Sequence, residues 1–521
     1  MAYAVEDLSY AFGVLIQKSL STLDPEWIDL EILKRWLRTC DESHGIKCSH
    51  NPSRSETADH RLRASRMSLD SWHTRVWSRI APPLHQPRNL RRYEDALPLE
   101  SGQGRPLWLV SVDRGCLVKA SAQHRYAALS YVWGQVPMLK TTRLNLDDLL
   151  REGALFQQND PVPKTVSHTI SLVRLLGIPY LWVDCLCIVQ DDTDNLTHQL
   201  QSMASIYASA YVTIVAATGS NADHGLKGIR GVTDSRQFSP DRVYGIRDRI
   251  QPTTSIWYSR GWTFQEMVFS RRIIMLQYEI AIWACNSRSW DELTTDLKSP
   301  GFRLFQFGAK LQVLPCPDVE QYISLVMDYN TRRLTHTHDA YRAIAGLISA
   351  LSKEFHGGFV SGLPQMFFES ALLWQPSHPM ERRSSSPSSG EKDYFPSWSW
   401  LGWYGNVGAE VFFGTLTLNS TTVPKEVLSP FSIVERQHRE TYSLSNPDFP
   451  GIELIELSRE RGNTMMDGAS WQPRNKAGFF EFVNIMWIEW QDGIAYRKAI
   501  GQIMQHVWDG YELETIDVTL G

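Results

Sequence analysis

An aspartate within an apolar run is the first residue of this sequence that could do chemistry. Asp184 interrupts the run LWVDCLCIV, which is otherwise apolar. A buried carboxylate is costly unless it is paired or hydrogen-bonded, so Asp184 must have a partner. A salt bridge to Arg260 or Arg174 is the structural alternative to a functional role. We take Asp184 as a candidate catalytic residue and leave the salt bridge open.

Other residues with special properties stand at the ends of predicted strands. Trp133 and Gly134 end the run YAALSYVWG, and Gln190 and Asp191 end the run that contains Asp184. Ligands of open α/β sheets bind beyond the carboxyl ends of the strands. Glycine allows a close backbone approach or a positive φ angle. These four residues are therefore candidates for ligand binding.

A cysteine–histidine cluster near the start of the chain raises the question of a metal. Cys40, His44 and Cys48 stand four residues apart, and thiolate and imidazole groups can hold zinc. The spacing departs from the usual pairing of zinc ligands, and Gly45 is expected to end the helix that contains Cys40. We favour packing and capping roles over zinc and assign no metal site.

A second pair of thiols is a weaker candidate for chemistry. Cys185 and Cys187 lie in a predicted strand, where alternate residues are roughly 6.6 Å apart, which is long for joint chelation. A thiol nucleophile would need a nearby base, and His168 and His198 are the nearest in the sequence. We expect these thiols to pack as small apolar groups.

Strands and helices alternate in the part of the chain that holds these residues. Apolar runs predict strands over 126–133, 180–188 and 211–217, and 3.6-residue periodicity predicts helices over 165–176 and 195–210. This order predicts an α/β layer with a mostly parallel sheet. The runs RRIIML and EIAIWAC predict a further strand pair. The motifs of Trp133, Asp184, Trp262 and Glu266 are then expected to converge at one crevice.

The composition divides the chain into three predicted regions. Residues 1–104 form a helical flank with a polar linker, 105–300 an α/β core, and 301–521 an α+β region rich in β-strands. A Ser-rich stretch at 381–393 is typical of an exposed loop. The tryptophans on both sides of that stretch favour packing of the C-terminal region on the core.

Bulk properties exclude some classes of protein. The 521 residues have a formal net charge of −5, and 43% of them are hydrophobic, which does not indicate a nucleic-acid partner. No apolar stretch is long enough to predict a membrane span, and the apolar run near the start lacks the basic residues of a signal peptide. Seven cysteines at irregular spacing are typical of reduced thiols. We therefore expect a cytoplasmic protein.

Three separated motifs resemble the signature of fungal heterokaryon incompatibility (HET) domains. They are YAALSYVWG at 126–134, LWVDCLCIVQDD at 181–192 and RGWTFQE at 260–266. Weaker similarity extends over nearly the whole chain, including PSWSW and IEWQDGIAYRKAIG. The sequence departs from many members at Val132, where they have a cysteine, so a thiol there is not essential.

The resemblance implies a fold, an activity and several site residues. The HET domain has been related to the TIR fold, which implies a TIR/flavodoxin-like sheet with flanking helices. Some TIR domains cleave the nicotinamide–ribose bond of NAD through a glutamate, which implies Glu266 as a second catalytic residue and NAD as a substrate. Arg260, Trp262 and Gln265 of the same motif become candidates for ligand binding. Capping or bridging of a helix is the structural alternative for Glu266.

Three hypotheses of function follow from the resemblance. The first is a role in fungal non-self recognition and regulated cell death, with a further protein of the recognition system or a second copy of the chain as partner. The second is an enzyme, either an NAD-cleaving hydrolase or a tailoring activity recruited to a metabolic pathway. The third is a scaffold that binds partners and catalyses nothing. A polar, aromatic-lined pocket with Asp184 and Glu266 would favour the enzyme.

Overall fold

Apolar runs between residues 108 and 291 form one eight-stranded sheet in the computed structural model. The structure describes residues 23–45, 48, 105–157, 161–237, 255–277, 280–292, 319–352, 355–383, 395–408, 440–445, 453–462, 480–510 and 514–521. They group into two units. The first contains the described residues up to 55 and from 93 to 312, and the second contains those from 313 to 521.

The sheet of the first unit is parallel at its centre and antiparallel at both sides. Its strands are β1 (Trp108–Ser111), β2 (Cys116–Lys119), β3 (Tyr126–Ser130), β4 (Tyr180–Trp182), β5 (Val212–Ala216), β6 (Arg272–Gln277), β7 (Ile280–Cys285) and β8 (Ser289–Asp291). Their order is β2-β1-β4-β3-β5-β6-β7-β8. Strands β4, β3, β5 and β6 are parallel neighbours, so the prediction of one mostly parallel sheet over this part of the chain is confirmed. The further strand pair that the sequence predicts is β6 and β7, and the structure shows that this pair is antiparallel.

Helices connect the parallel strands. The first unit has α1 (Leu30–Ser43), α2 (Leu146–Leu149), α3 (Lys164–Leu175), α4 (Asp184–Cys187), α5 (Thr193–Gln201), α6 (Met203–Ser209) and α7 (Gly261–Phe269), with a 3-10 turn at Ala154–Phe156. Helix α3 buries Val166, Ile170 and Val173 on one face, and Gly177 follows the helix with a φ angle of +72°. That angle suits glycine and lets the chain turn into β4.

Three predicted elements have wrong bounds. The predicted strand over 126–133 ends at Ser130. The predicted strand over 180–188 ends at Trp182, and Asp184–Cys187 is a short helical turn instead. The apolar run is buried, but burial alone does not distinguish a strand from a buried turn of helix. The predicted helix over 195–210 is two helices, α5 and α6, and the first begins at Thr193.

Helix α1 is fixed to the sheet of the first unit by polar contacts at its C-terminal end. Its N-terminus is capped by the Asp29 side chain, which accepts a hydrogen bond from the backbone of Glu31 at 2.9 Å. Asp41 accepts a hydrogen bond from the Tyr211 hydroxyl at 2.6 Å and forms an ion pair with Arg272 at 2.7 Å. Within the N-terminal region that the sequence predicts to be helical, the structure has a helix at residues 30–43.

The second unit is mixed, with more strands than helices. Its helices are α8 (Val319–Asn330), α9 (Asp339–Arg342), α10 (Ala345–Leu351), α11 (Phe368–Ala371) and α12 (Gln505–Trp508), with 3-10 turns at Gln365–Phe367 and Trp400–Gly402. Its strands are β9 (Phe359–Val360), β10 (Leu363–Pro364), β11 (Gln375–Pro376), β12 (Glu381–Arg382), β13 (Trp403–Tyr404), β14 (Val407–Gly408), β15 (Glu440–Ser445), β16 (Glu453–Gly462), β17 (Phe480–Gln491), β18 (Ile494–Met504) and β19 (Glu514–Asp517). The last five form an antiparallel sheet of order β18-β17-β16-β15-β19.

One boundary in the second unit differs from the prediction. The predicted loop over 381–393 begins as strand β12, and Arg383 is buried, donating from Nε to the carbonyl of Trp403 at 2.8 Å. The rest of that stretch, 384–393, lies outside the described residues. Within the described ranges, every helix is too short or too polar to cross a bilayer. Packing of the C-terminal region on the core stays a prediction.

Candidate functional site

The three motifs meet beyond the carboxyl ends of the parallel strands. Strands β3 and β4 are parallel neighbours, and the segments 131–134 and 183–184 follow directly after them. Helix α7 begins after Arg260, whose Nη1 lies 3.5 Å from the carbonyl oxygen of Tyr131. The expected convergence of the motifs is therefore present. We call Asp184, Glu266, Arg260, Trp133 and Ser130 the carboxyl site.

Asp184 begins the helical turn after β4, where it faces the aromatic side chain that follows β3. Its Oδ2 accepts a hydrogen bond from Trp133 Nε1 at 2.8 Å, and its Oδ1 accepts one from the backbone of Cys185 at 2.8 Å. Burial raises the pKa of Asp184, while these hydrogen bonds and the charge of Arg260 lower it. Arg174, the other partner considered for Asp184, pairs with Asp113 at 3.3 Å instead.

Glu266 lies deeper, on α7, and its carboxyl group belongs to a buried chain of hydrogen bonds. Trp257 Nε1 donates to Ser130 Oγ at 2.6 Å, and Ser130 Oγ donates to Glu266 Oε2. Burial raises the pKa of Glu266 to about 7, although the hydrogen bond from Ser130 and the charge of Arg260 oppose the shift. The negative charge of Asp184 raises the pKa further. A carboxyl group with this pKa can gain or lose a proton near neutral pH.

Arg260 connects the two carboxyl groups electrostatically. Its charge lowers the pKa of Asp184 and of Glu266 alike, so one guanidinium stabilises both ionised forms. Arg260 and Asp184 are half-buried, whereas Glu266 is 7% exposed. Asp184 is therefore the more accessible of two interacting carboxyl groups. Pairs whose environments differ in this way are typical of acid–base chemistry.

The remaining predicted ligand-binding residues have different surroundings. Gln190 Nε2 donates to the carbonyl oxygens of Asp184 and Ile188 at 3.1 and 3.0 Å, so it supports the turn that holds Asp184. Asp191 is exposed and accepts a hydrogen bond from the backbone of Arg143 at 2.8 Å. Trp262 is half-buried and Gln265 is buried, both on α7. A role of these residues in ligand binding stays a prediction.

Several residues around Glu266 were not identified from the sequence. Ser130 is a hydroxyl within an apolar strand, which is a signal that could have singled it out. Trp257 lies outside the three motifs, and Tyr207 lies on a helix whose periodicity indicates only packing. Burial, and then the negative charge of Glu266, raise the pKa of Tyr207. The contacts of Trp257 and Tyr207 depend on tertiary structure that no local pattern predicts.

The thiols near Asp184 have the character of packed side chains. Cys185 and Cys187 are in the helical turn α4, not in a strand as predicted, and burial raises the pKa of Cys187 to about 12. Thiols with raised pKa values are poor nucleophiles. His168, one of the bases considered, accepts a hydrogen bond at Nδ1 from the backbone of Leu226 at 3.1 Å. These observations favour the carboxyl groups over the thiols as the reactive groups.

Gly134 has the two properties expected of it from the sequence. Its φ angle is +64°, and a Cβ atom at this position would lie 2.4 Å from Asn221 Cβ and 2.9 Å from Asn221 Cα. The neighbouring carbonyl of Trp133 accepts a hydrogen bond from the backbone of Ala222 at 2.9 Å. The glycine therefore lets the segment after β3 lie directly against residues 221–222. This contact fixes the backbone that presents the Trp133 indole to Asp184.

We predict that Gly134→Ala destabilises the protein more than Gly231→Ala. Both glycines have positive φ angles, but nothing lies within 4 Å of a Cβ at Gly231. Left-handed backbone costs alanine about 1–2 kcal/mol, and the contact with Asn221 adds overpacking of about 1–3 kcal/mol. Thermal melts of the two full-length variants measure the difference. Equal melting temperatures would show that the contact between residues 134 and 221 does not constrain the segment.

Comparisons with known proteins agree with the three motifs. Residues 126–266 match the protein family described as heterokaryon incompatibility protein (HET). The chain is also similar to heterokaryon incompatibility protein 6, OR allele, of Neurospora crassa, with 33% identity over 98 residues. That match covers 17% of this chain and 14% of the relative, and no solved structure matches the chain. The matched segment starts with β3 and ends at Glu266, so this protein contains a heterokaryon incompatibility (HET) domain at residues 126–266.

Proposed function

We propose that this protein acts in fungal heterokaryon incompatibility, as a component of non-self recognition that triggers regulated cell death. The observation that supports the proposal is the extent of the HET match, because residues 126–266 contain every member of the carboxyl site. The similar protein of Neurospora crassa is itself named for heterokaryon incompatibility. The carboxyl site is then the part of the domain through which it acts.

The partner in this role is a further protein of the recognition system or a second copy of the chain. The half-buried Trp133 is an accessible aromatic group at the site, and Lys140 Nζ lies 5.0 Å from the centre of its ring. An aromatic side chain beside a cation and a carboxylate is a surface that suits recognition of a polar ligand or partner. We place the protein in the cytoplasm, where partners from two fused cells would meet.

Inducible expression of the full chain in a filamentous fungus tests this proposal. We predict that the unaltered chain reduces the viability of the mycelium, and that Glu266→Gln abolishes the effect because the glutamine cannot ionise. The matched control is Glu152→Gln, an exposed carboxyl group whose side chain is 75% exposed. Immunoblots confirm equal amounts of each chain. Unchanged viability with the unaltered chain, or equal toxicity of all three chains, would contradict the proposal.

A second candidate function is hydrolysis of the nicotinamide–ribose bond of NAD. The observation that favours it is the pKa of Glu266, near 7, beside the half-buried Asp184. Ionised carboxylates stabilise the oxocarbenium-like transition states of glycosidic cleavage, and protonated ones assist the leaving group. Across the sheet, the parallel strands have the order β4-β3-β5-β6, which is 2-1-3-4 when they are numbered along the chain. A flavodoxin-like sheet has this order, and its ligands bind between the first and third strands. The aromatic ring of Trp262 would stack on a base of the substrate.

Nicotinamide release from NAD by the purified full-length protein tests this candidate directly. We predict release by the unaltered protein, at least a hundredfold slower release by Glu266→Gln, as expected when one acid–base group is lost, and unchanged release by Glu152→Gln. No release by the unaltered protein would exclude the hydrolase. If the fungal assay still showed loss of viability that depends on Glu266, the site would act by binding.

A further inference from the structure

Four potential metal ligands meet at the opposite end of the same sheet, near the amino ends of the parallel strands. They are Cys40, His44, Cys48 and Cys285, and their ligand atoms all lie within 4.8 Å of one another. His44 and Cys285 are 241 residues apart in the sequence, yet His44 Nδ1 lies 3.3 Å from Cys285 Sγ. Sequence spacing groups only the first three, because Cys285 ends a predicted strand far along the chain. With Cys285, the cluster contains four ligands, which is the number found in structural zinc sites.

The local structure explains how the first three side chains converge. Cys40 is in the last turn of α1, and His44 caps that helix through a hydrogen bond from its backbone to the Cys40 carbonyl at 3.3 Å. Residues four apart on a helix share a face. Gly45, with a φ angle of +52°, turns the chain back, and the backbone of Cys48 donates to the Gly45 carbonyl at 3.2 Å. The departure from common zinc spacings is therefore compensated by this turn.

The separations suit tetrahedral coordination. Zinc binds sulfur at about 2.3 Å and nitrogen at about 2.0 Å, so the ligand atoms of a tetrahedral site are roughly 3.3–3.8 Å apart. The distance from His44 Nδ1 to Cys285 Sγ already lies in that range. The four ligand atoms are at most 4.8 Å apart, so small rotations of the side chains bring the longer separations into the range. Three cysteines and one histidine form a closed donor set, the type found in structural zinc sites.

Hydrogen-bond donors and a buried cation surround the cluster. The backbone of Arg288 donates to Cys285 Sγ at 3.3 Å, and Ser287 Oγ lies 3.6 Å from Cys48 Sγ. The guanidinium of Arg272 interacts with Cys40 and is buried. A buried cation and several hydrogen-bond donors offset the negative charge of three thiolates around a divalent ion.

We propose that Cys40, His44, Cys48 and Cys285 form a structural zinc site that fixes α1 to the sheet. Cys285 pairs with Arg272, the first residue of β6, so the cluster lies where the parallel strands begin. The carboxyl site lies where they end, so the metal holds the fold and takes no part in chemistry at Glu266. Packing of buried thiols does not explain four ligand atoms that lie within 4.8 Å of one another, and a disulfide would use only two of the three sulfurs.

Metal analysis of the purified full-length chain tests the proposal. We predict an equimolar amount of zinc in the unaltered protein, and loss of most of it in Cys48→Ser and Cys285→Ser. Cys116→Ser, a buried cysteine of β2 outside the cluster, is the matched control and keeps the metal. His44→Cys also keeps the metal, because four thiolates bind zinc, whereas His44→Phe loses most of it.

Two measurements keep the test informative if the serine variants do not fold. Cobalt exchanged into the unaltered protein should give the thiolate charge-transfer and visible bands of tetrahedral coordination, and a chelator should lower the melting temperature of the zinc form. The proposal is overturned if the unaltered protein contains no stoichiometric zinc. It is also overturned if Cys285→Ser retains zinc as Cys116→Ser does, or if mass spectrometry finds a disulfide among the three cysteines.

Discussion

The carboxyl group of Glu266 is buried where two parallel strands end, and the cost of removing it from water shapes its surroundings. Ser130 donates to this carboxyl group, and Trp257 holds the Ser130 hydroxyl in place at 2.6 Å. These contacts do not fully offset desolvation, so the pKa of Glu266 stays near 7 instead of its ordinary 4.5. The folded chain binds this proton more tightly than the unfolded chain. Glu266 therefore costs stability as the pH rises from about 4.5 to about 7, and the full cost is present above pH 7.

The need to satisfy this buried group gives a physical reason for the three separated motifs. Strand β3 supplies Ser130, the segment after it supplies Trp133, and Gly134 lets that segment lie against Asn221. The turn after β4 supplies Asp184, which binds Trp133 and raises the pKa of Glu266 across the site. Stability alone would favour an apolar residue at position 266. A buried carboxyl group with a raised pKa in this position is expected of a functional site.

Much of the fold could be predicted from the sequence, because buried parallel strands and amphipathic helices have distinct periodicities. The boundary at Trp182 could not, since a helical turn of apolar residues resembles the end of a buried strand. Asp184 was identified from the cost of burying a carboxylate, and Glu266 from the resemblance. Trp257 and Cys285 were missed because their roles depend on contacts between segments that are distant in the sequence. Local patterns predict elements, but they do not predict which side chains meet.

Asp184 and Glu266 form one site in which Glu266 titrates near neutral pH. Carbon-13 NMR of the full-length chain, labelled at glutamate side-chain carboxyls and compared with Glu266→Gln, measures that titration. The predicted midpoint of the Glu266 signal is about 7, and it falls in Asp184→Asn, because that variant removes the negative charge that raises the pKa. A midpoint near 4.5, or a midpoint that Asp184→Asn leaves unchanged, would contradict the account.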